Sequence, residues 1–570
     1  MNFFQLRIIF ERLRREKVMY FLFLFTLFVL GLFLIYPIIV LFYMSFIDPA
    51  AHHFSFYNYK QLFLNRDIYQ SFVGTIQYGV WTVILSAAFA VPMAFGASRT
   101  DMPCRKFIRT ASILTFASPS FIGAIAWIIL LGPRAGRLNM LIKTMFGIDE
   151  MFNIFSLSGM VFVSALFLYP FIFFSMVSAL DNMDSSFEDA ATILGANKIR
   201  TLFTVTLPMV IPAILAGMIL VFLECFVLFG IPVILGLPAG VYVMSTKIYH
   251  LFLANPPQFE IAAAVATPIL MITAILLLLE WLYLKRRRYV TVAGKLSRPE
   301  PVQLGRWKVL LSGYSLFIVF LAVILPSMTL LASSFLRYWG GSFSWENVSL
   351  FQFKELLFGF NQQALIVALK NSFLLGVGSA FLAVVFSLIM AWIVERTNVP
   401  GRNILSFLNT SAMSFPAVAL ALALILCFSS PPLPLYGTLW IFLVGYMVKG
   451  FPISFLLIRS SLKQISAELE EASRILGGSW FKSVKDITIP LIKGGLFSTF
   501  LIIFITKFRD LPTSILLYTG GNEIIGVTIF QYIDEGLFGQ ASALSSFILL
   551  FNLAIVYIAN RIAGKDQRSF

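Results

Sequence analysis

Charged residues are scarce in this chain of 570 residues. Asp, Glu, Lys and Arg make up 12% of the sequence, whereas 59% is hydrophobic and 16% is aromatic. Soluble globular domains carry roughly 25% charged residues, so the composition excludes a soluble protein and indicates an integral membrane protein. The three cysteines, Cys104, Cys225 and Cys427, form no closely spaced pair, which argues against a disulfide framework and a cysteine zinc site.

Sequence patterns for catalysis are also missing. The nucleotide-binding pattern Gly-x-x-x-x-Gly-Lys-Ser/Thr does not occur, so energy must come from another polypeptide or from an ion gradient. We interpret the adjacent His52 and His53 as part of a solvated loop rather than a metal site. We therefore expect no catalytic residue, no metal site and no cofactor bound by this chain, which disfavours a polytopic membrane enzyme.

Long apolar runs, in contrast, are abundant. Each is about 20 residues long, enough to cross the ~30 Å hydrocarbon core of a bilayer as a helix. We place them near 19–43, 72–97, 110–132, 156–180, 209–234 and 262–284, then near 309–335, 371–394, 404–428, 437–458, 491–513 and 542–560. The predicted fold class is all-α, a polytopic membrane protein of about twelve transmembrane helices.

Basic residues outnumber acidic ones, 42 to 27, which gives a formal net charge of +15. They cluster near 7–17, 99–109, 285–288 and 561–568. With a cytoplasmic N-terminus all four clusters fall on the cytoplasmic side, as the positive-inside rule requires. We therefore expect both termini in the cytoplasm. A nucleic-acid partner is disfavoured because no recognition motif accompanies the basic residues.

One segment occurs twice. Glu188-Asp-Ala-Ala-Thr-Ile-Leu-Gly195 and Glu470-Glu-Ala-Ser-Arg-Ile-Leu-Gly477 start 282 residues apart, and a proline follows each glycine after thirteen residues. Arg99-Thr-Asp-Met-Pro103 also matches Arg396-Thr-Asn-Val-Pro400, at a separation of 297. The sequence therefore predicts a duplicated six-helix unit, an arrangement common among transporters.

The predicted domains follow from this duplication. The first half covers 1–284 with its loop at about 183–208, and the second covers 309–570 with its loop at about 464–490. A basic cytoplasmic linker, 285–308, joins them.

The residue types of the repeated loop suit a short helix that a partner approaches closely. Ala190 and Ala472 are small and favour helix, and Gly195 and Gly477 suit a helix C-terminus that needs a left-handed residue. The prolines fit the first turn of the following transmembrane helix. The loop acids either favour a helix start or pair with a basic partner surface; they are Glu188, Asp189, Glu470 and Glu471. An ordinary surface loop is the alternative, which two copies at fixed spacing disfavour.

The repeated loop resembles the Glu-Ala-Ala segment of the membrane subunits of bacterial binding-protein-dependent ABC importers. Two copies in one chain resemble the fused permeases of the ferric iron, thiamine and phosphonate importer group. Asp189 stands where that family usually has Glu, and Ser473 replaces the second Ala. The resemblance implies a type I importer permease fold, with coupling helices that dock on a cytoplasmic ATPase. The implied coupling residues are Glu188, Asp189, Ala190, Gly195, Glu470, Glu471, Ala472 and Gly477.

Charges inside the apolar runs are candidates for a translocation path, because such residues usually face a bundle interior or a water-filled cavity. The candidates are Glu224, Lys449, Lys507 and Asp510, with Glu224 and Lys507 foremost. Structural ion pairs are the alternative explanation. We also predict matching helix breaks at Phe229-Gly-Ile-Pro232 and Arg509-Asp-Leu-Pro512.

The resemblance thus implies a permease of the bacterial inner membrane that forms the path of an ATP-driven importer. Its implied partners are two ATP-binding subunits, which use the ATP, an external solute-binding protein and membrane lipid. Ferric iron is the first expectation for the substrate, with thiamine, a phosphonate or a polyamine as alternatives. A secondary transporter is the rival mechanism, but it has no need of two coupling loops.

Overall fold

The structure is a computed structural model that describes residues 3–148, 151–184, 186–286, 302–339, 345–475 and 480–566. Within these residues, ten continuous helices are long and apolar enough to span a membrane. They confirm the all-α membrane fold and correspond to ten of the twelve predicted runs.

The helices of the first half are α1 (Lys17–Ser45), α2 (Tyr57–Leu64), α3 (Arg66–Arg99), α4 (Arg105–Ala117), α5 (Ser120–Leu131), α6 (Arg137–Phe146), α7 (Leu157–Asp181), α8 (Ser186–Ile193), α9 (Leu202–Val227), α10 (Met244–Phe252) and α11 (Phe259–Arg286). Those of the second half are α12 (Trp307–Ser334), α13 (Phe351–Phe358), α14 (Gln362–Arg396), α15 (Arg402–Ser411), α16 (Ala417–Phe428), α17 (Leu439–Lys463), α18 (Ala467–Ile475), α19 (Phe481–Phe508), α20 (Ile525–Asp534) and α21 (Phe538–Asp566).

The third predicted run of each half is a broken helix rather than a straight one. Helices α4 and α5 are bent by 102°, and α15 and α16 are likewise separate helices. Each break lies at a proline, Pro119 or Pro416, and the preceding residue has an extended backbone. Proline disfavours helical geometry in the residue before it and donates no amide hydrogen bond. Composition alone marks these runs as apolar and does not show the bend.

Other prolines distort the spans without breaking them. A five-residue π turn ends two residues before Pro37, Pro208, Pro326 and Pro490. A proline ring clashes with the carbonyl four residues earlier, and a wider turn relieves that clash. The same distortion at matching positions shows that both halves follow one backbone plan.

Within each half, the second spanning helix packs against the two that flank the repeated loop. These contacts join α3 to α7 and α9, and α14 to α17 and α19. At Gly217 of α9, an added Cβ would lie 2.7 Å from the Cα of Ile172 in α7. The two backbones approach so closely there that only glycine fits, which fixes α9 against α7.

The first helix of each half crosses to the other half. Phe25 and Phe33 of α1 contact Phe386 and Phe428 of the second half, with ring centroids 5.8 and 6.1 Å apart. In the reverse direction, α12 packs on α3, and the hydroxyl of Tyr314 donates to the carbonyl of Ala88 at 2.7 Å. The halves therefore interlock and do not merely lie side by side.

Candidate functional site

The two copies of the repeated segment form the short helices α8 and α18, which we call the loop helices. Gly195 ends α8 with a φ of +84°, so the predicted left-handed residue is confirmed there. Gly477 lies outside the described residues. Pro208 and Pro490 lie in the first turn of the α-helical parts of α9 and α19, as predicted.

A buried cluster holds α8 against the end of α3. One guanidinium nitrogen of Arg99 lies 3.5 Å from a carboxylate oxygen of Glu188, and the Thr206 hydroxyl donates to the other oxygen at 2.6 Å. Arg99 also donates to the carbonyl of Met183 at 3.0 Å. We call Arg99, Glu188 and Thr206 the first latch. It joins the loop helix to the spanning helices α3 and α9.

The second half repeats this cluster at α18. Arg396 Nε lies 3.4 Å from Glu470 Oε1, and the Thr488 hydroxyl donates to the same oxygen at 2.9 Å. Arg396 donates to the carbonyl of Ile465 at 2.6 Å, the position that matches Met183. We call Arg396, Glu470 and Thr488 the second latch. Two latches built from the same residue types indicate that each loop helix is fixed in the same way.

The latches separate the loop acids into two groups. Glu188 and Glu470 point inward and bind an arginine and a threonine of the same chain, with 17% and 2% of their side chains exposed. Pairing of these two acids with a partner surface, one of the two predicted alternatives, therefore does not fit the structure. Glu471 is exposed on α18, so it remains available to a partner.

Each loop helix also exposes apolar side chains. Phe187 and Ile193 in the first half match Leu469 and Ile475 in the second, and all four are exposed, the two isoleucines by 86% and 83%. Leu194 is 87% exposed. Exposed apolar clusters of this kind mark interaction sites. We call these residues, together with the exposed Ala190 and Ala472, the coupling surfaces.

A cavity of about 260 Å³ lies where the two halves meet. Its polar lining combines three charged side chains with hydroxyl groups, and the remainder is aromatic or aliphatic. The polar residues are Thr115, Ser118, Ser120 and Glu224 from the first half and Thr506, Arg509 and Asp510 from the second. The break between α4 and α5 supplies Ser118, Pro119 and Ser120, so the bend places this polar segment at the cavity.

Glu224 and Thr506 face the cavity from matching positions, each sixteen residues after the proline of its loop. Within the described residues, the Glu224 carboxylate makes no hydrogen bond or ion pair. Asp510 is engaged by its own half, since its Oδ1 accepts from the amide of Thr513 at 2.8 Å. Glu224 is therefore the carboxylate that faces the cavity with its oxygens available.

Lys449 and Lys507 do not line this cavity. Each instead binds a residue close to the cavity. Lys449 Nζ donates to the carbonyl of Phe415 at 2.7 Å, at the break before α16. Lys507 Nζ lies 3.9 Å from Asp510 Oδ2 and 5.9 Å from the centre of the Tyr446 ring. Lys507 was one of the two foremost path candidates, but the structure fits the alternative explanation, a structural ion pair, better.

The family model described as "Binding-protein-dependent transport system inner membrane component" matches this chain twice, over residues 90–286 and 383–565. Together these matches cover more than half of the chain and include both latches and the cavity residues. The chain belongs to this family. It is a duplicated importer permease, a multi-pass protein of the bacterial inner membrane.

Several curated proteins are similar to this permease. The ferric transport system permease protein FbpB of Actinobacillus pleuropneumoniae is 25% identical, over 86% of this chain and 70% of that protein. The putative ferric transport system permease protein FbpB 1 of Haemophilus influenzae is also 25% identical, over 86% and 77%. The putative 2-aminoethylphosphonate transport system permease protein PhnV of Salmonella typhimurium is 27% identical, over 44% and 92%.

Among solved structures, a bacterial ABC transporter involved in the import of the acidic polysaccharide alginate is similar to half of the permease. The identity is 19%, over 50% of this chain and 99% of that chain, with a TM-score of 0.40.

Two groups of residues in this permease were not predicted from the sequence. Arg99 and Arg396 were visible as a repeated Arg-Thr pair, but nothing local showed that they bind loop acids many residues away. Tyr249 of α10 and Phe530 of α20 form a ring contact with centroids 6.3 Å apart. This contact joins the halves at the ends of α9 and α19 opposite the loop helices. The predicted helix breaks come directly after the ends of α9 at Val227 and α19 at Phe508, between these helices and the two rings in contact.

Proposed function

We propose that this permease imports ferric iron and that separate ATPase subunits drive the import. Support for iron comes from relatives named as ferric transport permeases, which align with 86% of the chain and so with both halves. The phosphonate permease relatives align with 44%, the length of one half. A phosphonate, thiamine or a polyamine is the alternative substrate.

The two coupling surfaces are the observation that carries the ATP-driven mechanism. Matching apolar residues on α8 and α18 fit two copies of one ATP-binding subunit, each binding one loop helix and using the ATP. The proposed contact also includes the exposed Glu471 and Ala472, together with Asp189, Ala190, Gly195 and Gly477. Because the latches join each loop helix to spanning helices, closure of the ATPase pair moves α3, α9, α14 and α19.

The cavity supports a translocation path along the interface of the halves. Glu224 and Asp510 face the solute, and Lys449 and Lys507 keep the surrounding backbone and Asp510 in place. A solute-binding protein delivers the solute to the side where Tyr249 and Phe530 meet, and separation of these rings opens the path. Both termini lie in the cytoplasm, and exposed apolar side chains of the spans contact lipid.

Copurification tests the proposed partners. The tagged permease is isolated gently from its native membrane, and the accompanying proteins are identified by mass spectrometry. We expect an ATPase with a nucleotide-binding loop in a ratio of two per permease, and a binding protein that retains ferric iron. A permease that purifies alone and transports without ATP would overturn the proposal in favour of a secondary transporter.

Charge reversal at Glu471 tests the coupling surface directly. Glu471→Lys places a like charge against a basic partner, which costs several kcal/mol and lowers ATP-coupled uptake at least about tenfold. Glu468→Lys is the matched control, because Glu468 is also exposed on α18 but lies outside the repeated segment. Equal uptake in the two variants would remove Glu471 from the contact.

A further inference from the structure

The end of the linker is bound to Arg99, one residue of the first latch, and to Asp101 close by. The amide of Val302 donates to the carbonyl of Arg99 at 2.8 Å, and the amide of Asp101 donates to the carbonyl of Val302 at 3.2 Å. The amide of Leu304 donates to Asp101 Oδ1 at 2.9 Å. We call residues 302–306 the strap. It adds one short strand-like pairing to the turn that follows α3.

The strap is tied at its far end to the second half. Lys308, in the first turn of α12, has its Nζ 3.8 Å from Asp101 Oδ2. Helix α12 then packs along α3 and α4. Asp101 therefore uses one carboxylate oxygen for the strap backbone and the other for the start of the second half.

The second latch lacks this arrangement within the described residues. Asn398 occupies the position that matches Asp101, and its side-chain oxygen accepts from Arg402 of the same half at 3.3 Å. The position that matches Val302 is Leu13, at the offset of 289 that aligns Pro37 with Pro326. Leu13 lies in the helix that begins at Phe3 and continues into α1, so no extended segment corresponds to the strap there.

Arg99 belongs to the first latch and also binds the strap. Its side chain contacts Glu188 of the first loop helix, and its carbonyl accepts the first strap hydrogen bond. A shift of α8 that moves Arg99 therefore moves the strap, and through Asp101 and Lys308 it moves the start of α12. The path from loop helix to second half is a chain of direct contacts with no gap.

We propose that the strap transmits movement of the first loop helix to the second half, so that one coupling surface acts on both halves. This inference rests on the proposed ATP-driven function. It assigns to the linker a mechanical role and makes the two coupling surfaces unequal, although their latches are alike.

Matched alanine variants in the complete importer test the strap. Asp101→Ala removes the acceptor for Leu304 and the partner of Lys308, and we expect uptake per ATP hydrolysed to fall about fivefold, the effect of losing one net hydrogen bond. Asn398→Ala is the control and should retain the wild-type ratio. Asp101→Asn keeps the acceptor for Leu304, so its uptake per ATP hydrolysed should lie between the values for Asp101→Ala and Asn398→Ala.

Hydrogen exchange supplies a readout that does not depend on transport. In Asp101→Ala the amides of residues 302–304 should exchange about fivefold faster, while those of α8 keep their rates. Equal transport ratios for Asp101→Ala and Asn398→Ala, with ATP-driven uptake intact in the parent importer, would overturn the strap alone. Absence of ATP-driven uptake in the parent importer would instead overturn the proposed function. If Asp101→Ala fails to assemble, Lys308→Gln, at a half-exposed side chain, replaces it.

Discussion

The two halves of this permease agree at the loop helices and differ around the cavity. Each latch contains an arginine, a glutamate and a threonine, with ion-pair distances of 3.5 and 3.4 Å. At the cavity, Glu224 faces Thr506 from the matching position. The position that matches Lys449 is Phe167.

This difference separates two physical tasks. In the proposed mechanism the latches carry force from two copies of one ATP-binding subunit, which would explain why both latches have the same geometry. In that mechanism the cavity holds a single solute between the halves, and one solute does not require two identical walls. Charges can therefore differ between the halves at the cavity without disturbing the repeated backbone.

Breaking a latch should have the largest effect. Removing Arg396 leaves Glu470 buried without its cation, which costs about 3–5 kcal/mol of folding stability, measured as unfolding of the purified permease in detergent. Arg99→Ala should lower the folding stability by a similar amount, because it removes the cation beside Glu188. Arg109→Ala, which breaks an exposed ion pair with Asp181, should cost about 1 kcal/mol or less.

A rescue variant sharpens the comparison of the latches. Arg396→Met combined with Glu470→Leu removes both buried charges and should recover most of the stability, because apolar replacements of a buried pair are often neutral. A double variant as unstable as Arg396→Ala would contradict the assignment of the loss to an unpaired glutamate.

Exchanging the cavity residues should have an intermediate effect. Glu224→Thr removes the available carboxylate and should lower uptake about tenfold, while ATP hydrolysis continues. Adding Thr506→Glu returns a carboxylate from the matching position and should restore part of the uptake, measured with radioactive iron. No recovery, with normal assembly of both variants, would show that the cavity distinguishes its two walls.

Replacing Gly195 should have the smallest effect. Gly195→Ala forces a side chain into the left-handed region, which costs about 1 kcal/mol, and nothing lies within 4 Å of the added Cβ. Gly147→Ala, with a φ of +67° and equally open space, is a control outside the loop helices. Both should lose similar stability, but uptake should fall only in Gly195→Ala.

Much of this architecture was predictable because apolar length and a repeated loop are local signals. The runs near 72–97 and 371–394 lie inside α3 and α14, and Gly195 adopts the backbone that its place after a short helix predicted. Spacing between the loop glycine and proline also located the regular α-helical parts of α9 and α19, which begin at Leu207 and Ile489 after the π turns.

The rest depends on contacts between distant residues. Pairing of Arg99 with Glu188 arises only when α3 and α8 meet, and no spacing rule connects positions so far apart. Lys507 and Glu224 both interrupt apolar helices, so sequence alone ranked them equally. Helix rotation decides between them, because it turns Glu224 toward the cavity and Lys507 toward Asp510.

ATP-driven import of iron can be measured in sealed vesicles that contain the permease, its ATPase subunits and a loaded binding protein. Radioactive ferric iron is supplied with the binding protein outside, and ATP is supplied inside. We expect iron to accumulate only when ATP and the binding protein are both present, and to stop when Glu471→Lys replaces the parent chain. Iron uptake without ATP, driven by an imposed proton gradient, would show that the permease is not driven by an ATPase.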